Sequence, residues 1–193
     1  MIVLQLLIAH LLGDFVFQSN SLLKKKYESW KGTFQHVLII TAFTILFLFP
    51  YWNSAWTWAV VGIIFGTHFV QDVIKVELDK RYNKKRSVIP FFVDQLLHIG
   101  LICLLGRGFH ALPTLAIPDW LEILYYSDPL NVLIVCILLL TYTFDITLFQ
   151  FKVHETQKLK PYHPDYRGMM VRVVAFSILY LAIFLFFGLD LFA

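Results

Sequence analysis

Histidine and aspartate recur at one spacing within stretches that are otherwise apolar. Three pairs share this spacing, namely His10 and Asp14, His68 and Asp72, and Asp94 and His98. Residues four positions apart lie on the same face of a helix. Imidazole and carboxylate groups suit zinc, manganese and iron as ligands. Each pair could therefore offer two ligands to one ion from a single helix.

Adding His36 to these pairs gives a candidate set of seven metal ligands. Two divalent ions about 3.5–4 Å apart can activate a water molecule and hold a phosphoryl oxygen. The set therefore predicts a site for one or two divalent cations, with zinc, manganese or iron as the cofactor. Some of the aspartates could instead orient a metal-bound histidine by a hydrogen bond. Around this set we expect supporting or proton-relaying roles for Gln18, Lys75 and Asp145.

The same residues could also fasten helices together without any metal. Each histidine can donate a hydrogen bond to a neighbouring aspartate, and Asp72 can pair with Lys75 three residues later. Asp145 has no histidine at helical spacing, so it is a candidate proton carrier, ligand partner or helix fastener. Ionisable residues inside membrane spans are costly, and seven of them exceed what fastening requires. We therefore favour the metal site.

The composition indicates what must position these residues. Of 193 residues, 59% are hydrophobic and only 15% are charged, with a mean hydropathy of +0.70. Soluble domains carry about 25% charged residues, which excludes an ordinary soluble enzyme. A bilayer core needs about 20 largely apolar residues per helix. The stretches that meet or approach this requirement are 2–17, 34–52, 55–76, 88–105, 130–151 and 171–191.

We therefore predict an all-α fold, a polytopic transmembrane helical bundle of about six spans. It forms a single domain over residues 1–193. Residues 1–105 form a four-helix core that bears the histidines and aspartates. Residues 106–193 add an outer interfacial segment and two further spans. In the interfacial segment, Asp119 followed by Glu122 resembles a capping arrangement that opens a short helix.

The basic residues predict the orientation. All but one of the sixteen, Arg107, fall in alternate loops or at the adjoining helix ends. Positively charged loops stay in the cytoplasm, which places both termini outside a bacterial inner (cytoplasmic) membrane. With this orientation, the seven candidate ligands lie between the middle and the cytoplasmic side of the bilayer. The N-terminal apolar run is expected to be a retained first span rather than a signal peptide, because it has no basic start and contains His10 and Asp14.

The two cysteines and the three remaining histidines are expected to have no role in the metal site. Cys103 and Cys136 lie in apolar runs and predict small buried side chains rather than a disulfide or metal site. His110, His154 and His163 are expected to be solvated loop residues. Membrane lipids are the expected partners, a homo-oligomer is compatible with the sequence, and no nucleic-acid-binding module is present.

Three segments carry a family resemblance, namely His10-Leu-Leu-Gly-Asp14-Phe-Val-Phe-Gln18, His68-Phe-Val-Gln-Asp72-Val-Ile-Lys75 and Asp94-Gln-Leu-Leu-His98. The chain resembles the domain-of-unknown-function 3307 family of bacterial integral membrane proteins over about its first 105 residues, with a histidine in the second span. The resemblance implies no activity. The arrangement is also similar in style to membrane-bound metal-dependent hydrolases, which is an analogy only.

These observations favour a metal-dependent hydrolase of a lipid or other phosphoester. A proton- or metal-ion-coupled transporter is the first alternative, because buried His and Asp chains also relay protons. The outer halves of spans two to four have almost no ionisable residues, which favours a one-sided pocket over a path through the membrane. Haem bound by two histidines and a non-catalytic membrane protein are the remaining alternatives.

Overall fold

The computed structural model describes residues 2–81, 88–110, 112–156 and 161–187, and every regular element in these ranges is helical. The α-helices are α1 Ile2–Leu11, α2 Asn20–Glu28, α3 Trp30–Phe47, α4 Ala55–Arg81, α5 Val88–Gly106, α6 Asp119–Tyr126, α7 Asp128–Leu138, α8 Phe144–Thr156 and α9 Tyr166–Phe187. A π-helical turn, Leu12–Val16, extends α1, and a second, Leu139–Thr143, joins α7 to α8. The predicted all-α fold class is confirmed.

Three helical segments in the described ranges are long and apolar enough to cross a membrane, namely Ala55–Arg81, Val88–Phe109 and Asp128–Val153. The pair Ile2–Val16 and Asn20–Glu28 would add a fourth if it were a single span, although it bends by 86°. Large apolar side chains cover the outer surface of α5, where Leu96 and Leu104 are more than 60% exposed. An exterior of this kind is typical of lipid-facing helices. The count of six spans and the orientation stay predictions.

Serine caps set the boundaries of α2 and α3. The Ser19 hydroxyl accepts a hydrogen bond from the Leu22 backbone N–H, and Ser29 does the same for Gly32. Such caps satisfy N–H groups that the first turn of a helix leaves without partners. Gly32 also lies directly against the backbone of Lys25, where a Cβ atom would clash. This close approach holds α2, a helix that the sequence did not predict, across the start of α3.

A second glycine contact positions the π-helical turn of α1. A Cβ atom on Gly13 would clash with the Ile40 side chain and lie 3.1 Å from the Ile40 Cα. Only glycine lets α1 approach α3 so closely. Asp14 follows Gly13 in the turn and therefore lies against α3 at the level of His36.

Segments from distant parts of the sequence meet at the two ends of the bundle. At one end, the Asn20 amide donates to the Tyr162 carbonyl and accepts from the Tyr162 N–H. At the opposite end, the Tyr125 hydroxyl donates to the Leu46 carbonyl. The described basic tract of α2 thus lies at the same end as the segment before α9, which agrees with the predicted alternation of loops.

Two details differ from expectation. The short helix α6 does begin at Asp119, but its cap residue is Pro118 and no side chain caps it, so the predicted capping arrangement is wrong. Cys103 is exposed on α5 and Cys136 is partly buried, so the prediction that both are buried is wrong for Cys103. Both cysteines are free thiols, as expected.

An apolar core closes the bundle at the end away from α2. It joins α1, α4, α5 and the residue that follows α3 through buried side chains that include Leu6, Leu48, Val60, Ile64 and Ile102. A second apolar cluster packs Ala9 and Phe15 of the first helical segment against Val135 of α7. The polar cluster described below lies between the first core and the α2 end.

Candidate metal centre

The structure brings all seven predicted ligand residues into one buried cluster. They come from the α1 segment, α3, α4 and α5, and each is at most 9% exposed. Its members are His10, Asp14, His36, His68, Asp72, Asp94 and His98. The His68 and His98 rings lie closest, with centroids 4.0 Å apart. The i, i+4 spacing predicted a common face within each helix, and the packing aims these faces at one another.

Asp14 is the residue that the cluster shares. Ligand atoms of Asp14, His36 and His68 lie within 4.8 Å of one another, and so do those of His10, Asp14 and His98. We call the first group, with Asp72, site A, and the second group site B. The two oxygens of Asp14 face different sites, because Oδ1 lies 2.9 Å from His36 Nε2 and Oδ2 lies 3.6 Å from His10 Nε2.

The donor atoms of site A have the separations expected around a single ion. His68 Nε2 lies 3.4 Å from Asp14 Oδ1 and 3.6 Å from Asp72 Oδ2, and His36 Nε2 lies 3.5 Å from that same Asp72 oxygen. Ligands about 2.0–2.1 Å from a tetrahedral zinc ion are about 3.3–3.4 Å from each other. The three separations above are close to this length, whereas Asp14 Oδ1 and His36 Nε2 are closer at 2.9 Å. Asp14, His36 and His68 form a group that could hold one cation.

Two ligand atoms of site A have no hydrogen-bond partner among the residues that the structure describes. Within the described residues, neither His68 Nε2 nor Asp72 Oδ2 has a hydrogen bond, although both residues are at most 2% exposed. Buried polar atoms almost always have a hydrogen-bond partner, and exceptions call for an explanation such as an ion. A cation between them would satisfy both atoms.

Site B is looser. His10 and His98 have ring centroids 5.1 Å apart, and neither ring nitrogen of His98 has a hydrogen bond among the described residues. Asp94 lies one helical turn from His98, with Oδ1 3.7 Å from His98 Nδ1. The available ligands are therefore two imidazoles, one oxygen of Asp14 and one oxygen of Asp94.

Two lysines neutralise the outer oxygens of the cluster. Lys26 Nζ lies 2.6 Å from Asp72 Oδ1, and Lys75 Nζ lies 2.6 Å from Asp94 Oδ2. The Asp72–Lys75 pair expected as an alternative is wrong, because Lys75 reaches across to α5 instead. Each lysine contacts one carboxylate oxygen and leaves the other directed at a histidine.

Two glutamines hold the histidines and aspartates in place. The Gln95 side-chain carbonyl accepts a hydrogen bond from His10 Nε2 at 3.1 Å, and its amide nitrogen donates to Asp14 Oδ2 at 3.1 Å and Asp94 Oδ2 at 3.3 Å. The amide nitrogen of Gln18 lies 3.3 Å from His36 Nδ1. Gln18 thus contacts a cluster histidine, as a supporting residue would.

Asp145 lies outside the cluster. Its Oδ2 accepts hydrogen bonds from the Tyr162 hydroxyl at 2.8 Å and the Asp165 N–H at 3.1 Å, and Arg172 lies 3.8 Å from Oδ1. Burial, followed by this bond to Asp145, raises the pKa of Tyr162 above its usual range. Three roles were left open for Asp145, and these contacts correspond to that of a residue that fastens neighbouring segments together.

Sequence reasoning missed Lys26 and Gln95. Lys26 belongs to a tract with Lys24 and Lys25, which indicated topology or lipid contact, yet only Lys26 is buried. Gln95 follows Asp94 directly, so helical spacing places it on a different face. The sequence feature that could have indicated Gln95 is its position between two predicted ligands, directly after Asp94 and three residues before His98.

A cavity of about 110 Å³ lies beside the cluster on the α2 side. Its polar lining includes Asp14, Gln18, Lys26, Lys75, Asp94 and Gln95. On the opposite side the cluster borders a void of only about 10 Å³, lined in part by Leu6, Ile40 and Ile102. The cluster is therefore open toward α2 and bounded by apolar packing on the other side.

The comparisons with known proteins define a family and no activity. A family model described as "Protein of unknown function (DUF3307)" matches residues 2–125, more than half of the chain. No curated protein and no solved structure matches the chain.

Proposed function

The chain belongs to this family of unknown function, DUF3307, and we propose that it is an integral membrane protein that binds divalent cations in its His/Asp cluster and hydrolyses a phosphoester. The matched region, residues 2–125, contains every member of the cluster. The proposal therefore concerns a site formed wholly within the family's shared region.

The observation that carries this proposal is the position of Asp14 between sites A and B. A carboxylate whose two oxygens face two ligand groups is suited to bridge a pair of cations. Paired cations about 3.5–4 Å apart are typical of phosphatases and nucleases, where they lower the pKa of a bound water and stabilise the phosphoryl oxygens. Zinc, manganese and iron all suit ligands of this kind.

The chain's own residues would supply position and charge. Hydrolysis joins a water oxygen to phosphorus, breaks the ester P–O bond and releases an alcohol, which takes up a proton. His10 and Asp14, held by Gln95, would fix the geometry beside the cavity. Lys26 and Lys75 would add positive charge near the phosphoryl oxygens, where negative charge grows.

The shape of the site supports hydrolysis over transport. A transport path would require polar residues to continue from the cluster to the far end of the bundle. In the described part of the chain, that direction is occupied by the apolar core around Leu6, Ile64 and Ile102. The close packing of His68 and His98 also leaves no slot between these rings for a porphyrin.

Elemental analysis tests the metal site. We expect purified protein in detergent, supplemented with zinc or manganese, to retain one to two ions per chain. Asp14→Asn should lose most of this metal, whereas Asp145→Asn, a matched change at a buried aspartate outside the cluster, should retain it. Wild-type protein with clearly substoichiometric metal after supplementation would refute the site.

A separate assay tests the hydrolase. Metal-loaded protein should release phosphate or alcohol from a short-chain phosphatidic acid or an aryl phosphodiester, and chelation should abolish the activity. If loaded protein cleaves neither compound, the hydrolase is wrong while the metal site stands. Liposome assays of metal uptake and pH change would then test the transporter.

A further inference from the structure

The cavity beside the cluster is flanked by two cations, one buried and one partly buried. The Lys26 side chain is 6% exposed and that of Lys75 is 22% exposed. Lysine is almost never fully buried unless it is paired. Each ammonium group has three N–H donors, of which its aspartate needs one. Both groups thus lie in the cavity lining with donor capacity for a ligand oxygen.

A charge count shows when such a ligand would be needed. Asp14, Asp72 and Asp94 carry three negative charges, and Lys26 and Lys75 carry two positive ones, so neutral histidines leave a net charge of minus one. One divalent cation changes this to plus one, and two change it to plus three. Net charge in a low-dielectric interior is costly. The loaded cluster should therefore attract an anion into the cavity.

The lining also includes groups that limit what the anion can be. The cavity wall includes the apolar residues Leu23, Phe91 and Ile146 as well as Gln95. Asp79, one turn beyond Lys75, also lines the cavity, and its carboxylate accepts a hydrogen bond from the Tyr27 hydroxyl. Bound cations would therefore make the cluster side of the cavity its positively charged side.

We propose that Lys26 and Lys75 form an oxyanion subsite that binds the phosphate group of a phosphomonoester or free phosphate beside the metal cluster. The subsite rests on the proposed function, because bound cations create the charge that it balances. Lys26 is delivered by α2, the helix that the Gly32 contact holds across the start of α3. The apolar wall suits the start of an acyl or isoprenoid chain.

The test measures phosphate binding rather than turnover. Radiolabelled inorganic phosphate is dialysed against zinc-loaded full-length protein, and the metal content of each sample is determined in parallel. We expect Lys26→Gln and Lys75→Gln to weaken phosphate binding at least tenfold with the metal retained. Lys24→Gln and Lys25→Gln remove the same charge from exposed positions of α2 and should bind phosphate as the wild type does.

The outcomes separate the two proposals. Wild type that holds metal, together with Lys26→Gln and Lys75→Gln variants that bind phosphate normally, would overturn the subsite and leave the metal site intact. If a variant loses metal, zinc is restored by titration before the phosphate measurement, and normal binding would again overturn the subsite. Wild type without metal would refute the metal site first, as elemental analysis would show.

Competition identifies the source of the phosphate group. Displacement of labelled phosphate by dioctanoyl phosphatidic acid, but not by dioctanoylglycerol, would support a lipid phosphate ligand. Displacement by inorganic phosphate alone would support free phosphate. Equal displacement by both dioctanoyl lipids would show that the acyl chains, not the phosphate group, are recognised, and would overturn the proposal.

Discussion

Asp14 Oδ1 lies 2.9 Å from His36 Nε2, although the two residues are separated by 22 positions and belong to different helices. The contact depends on the π-helical turn Leu12–Val16 and on the absence of a side chain at Gly13. Single π-helical turns are frequent at functional sites. Here the turn places one carboxylate between two groups of histidines.

The sharing of Asp14 predicts that single histidine changes remove the two cations separately. His36→Ala should remove the ion of site A and leave that of site B, because His10 and His98 are untouched. His98→Ala should do the reverse. The metal content of each variant, measured after identical zinc loading, should fall by about one ion. Complete loss in both single variants would instead indicate one ion held by the whole cluster.

Gln95 provides a second prediction. Its amide contacts His10, Asp14 and Asp94, so Gln95→Leu should loosen site B while leaving His36 and His68 in place. Removing a residue that orients metal ligands costs about 10–100-fold in metal affinity. Competition with a chelator of known zinc affinity measures this change. Gln150→Leu, at the cavity wall on α8, is the matched control and should leave zinc affinity unaltered.

The spacing of histidine and aspartate predicted three of the clustered pairs, because helical periodicity determines which side chains share a face. His36 has no partner at this spacing, and only the predicted orientation of the spans placed it at the level of the pairs. Spacing could not predict Lys26. The three lysines of its tract have the same side chain, and only the packing of α2 on α3 buries one of them. Asp145 shows the converse case, since an aspartate in an apolar helix suggested chemistry but meets Tyr162 and the Asp165 backbone.

Asp145 should therefore affect stability rather than metal binding. Asp145→Ala leaves the Tyr162 hydroxyl and the Asp165 N–H without their acceptor and Arg172 without its nearby carboxylate. Hydrogen bonds to charged groups contribute about 1.5–3 kcal/mol each. We expect a lower thermal unfolding midpoint in detergent and faster proteolysis near residues 161–165, with zinc content as in wild type. A loss of zinc would show that Asp145 supports the cluster directly.

Gly32 should couple the packing of α2 to the anion subsite. Gly32→Ala places a Cβ atom against the backbone carbonyl of Lys25, and a backbone atom cannot rotate away as a side-chain tip can. Overpacking of this kind costs about 1–3 kcal/mol. We expect α2 to shift outward and carry Lys26 away from Asp72, so both the unfolding midpoint and phosphate affinity should fall.

Gly66→Ala is the matched control, because a Cβ atom on Gly66 meets nothing within 4 Å and alanine favours the helix by up to about 1 kcal/mol. Its unfolding midpoint should stay the same or rise, and phosphate binding should not change. A Gly32→Ala protein that is less stable but binds phosphate normally would show that α2 need not be held against α3 for Lys26 to act.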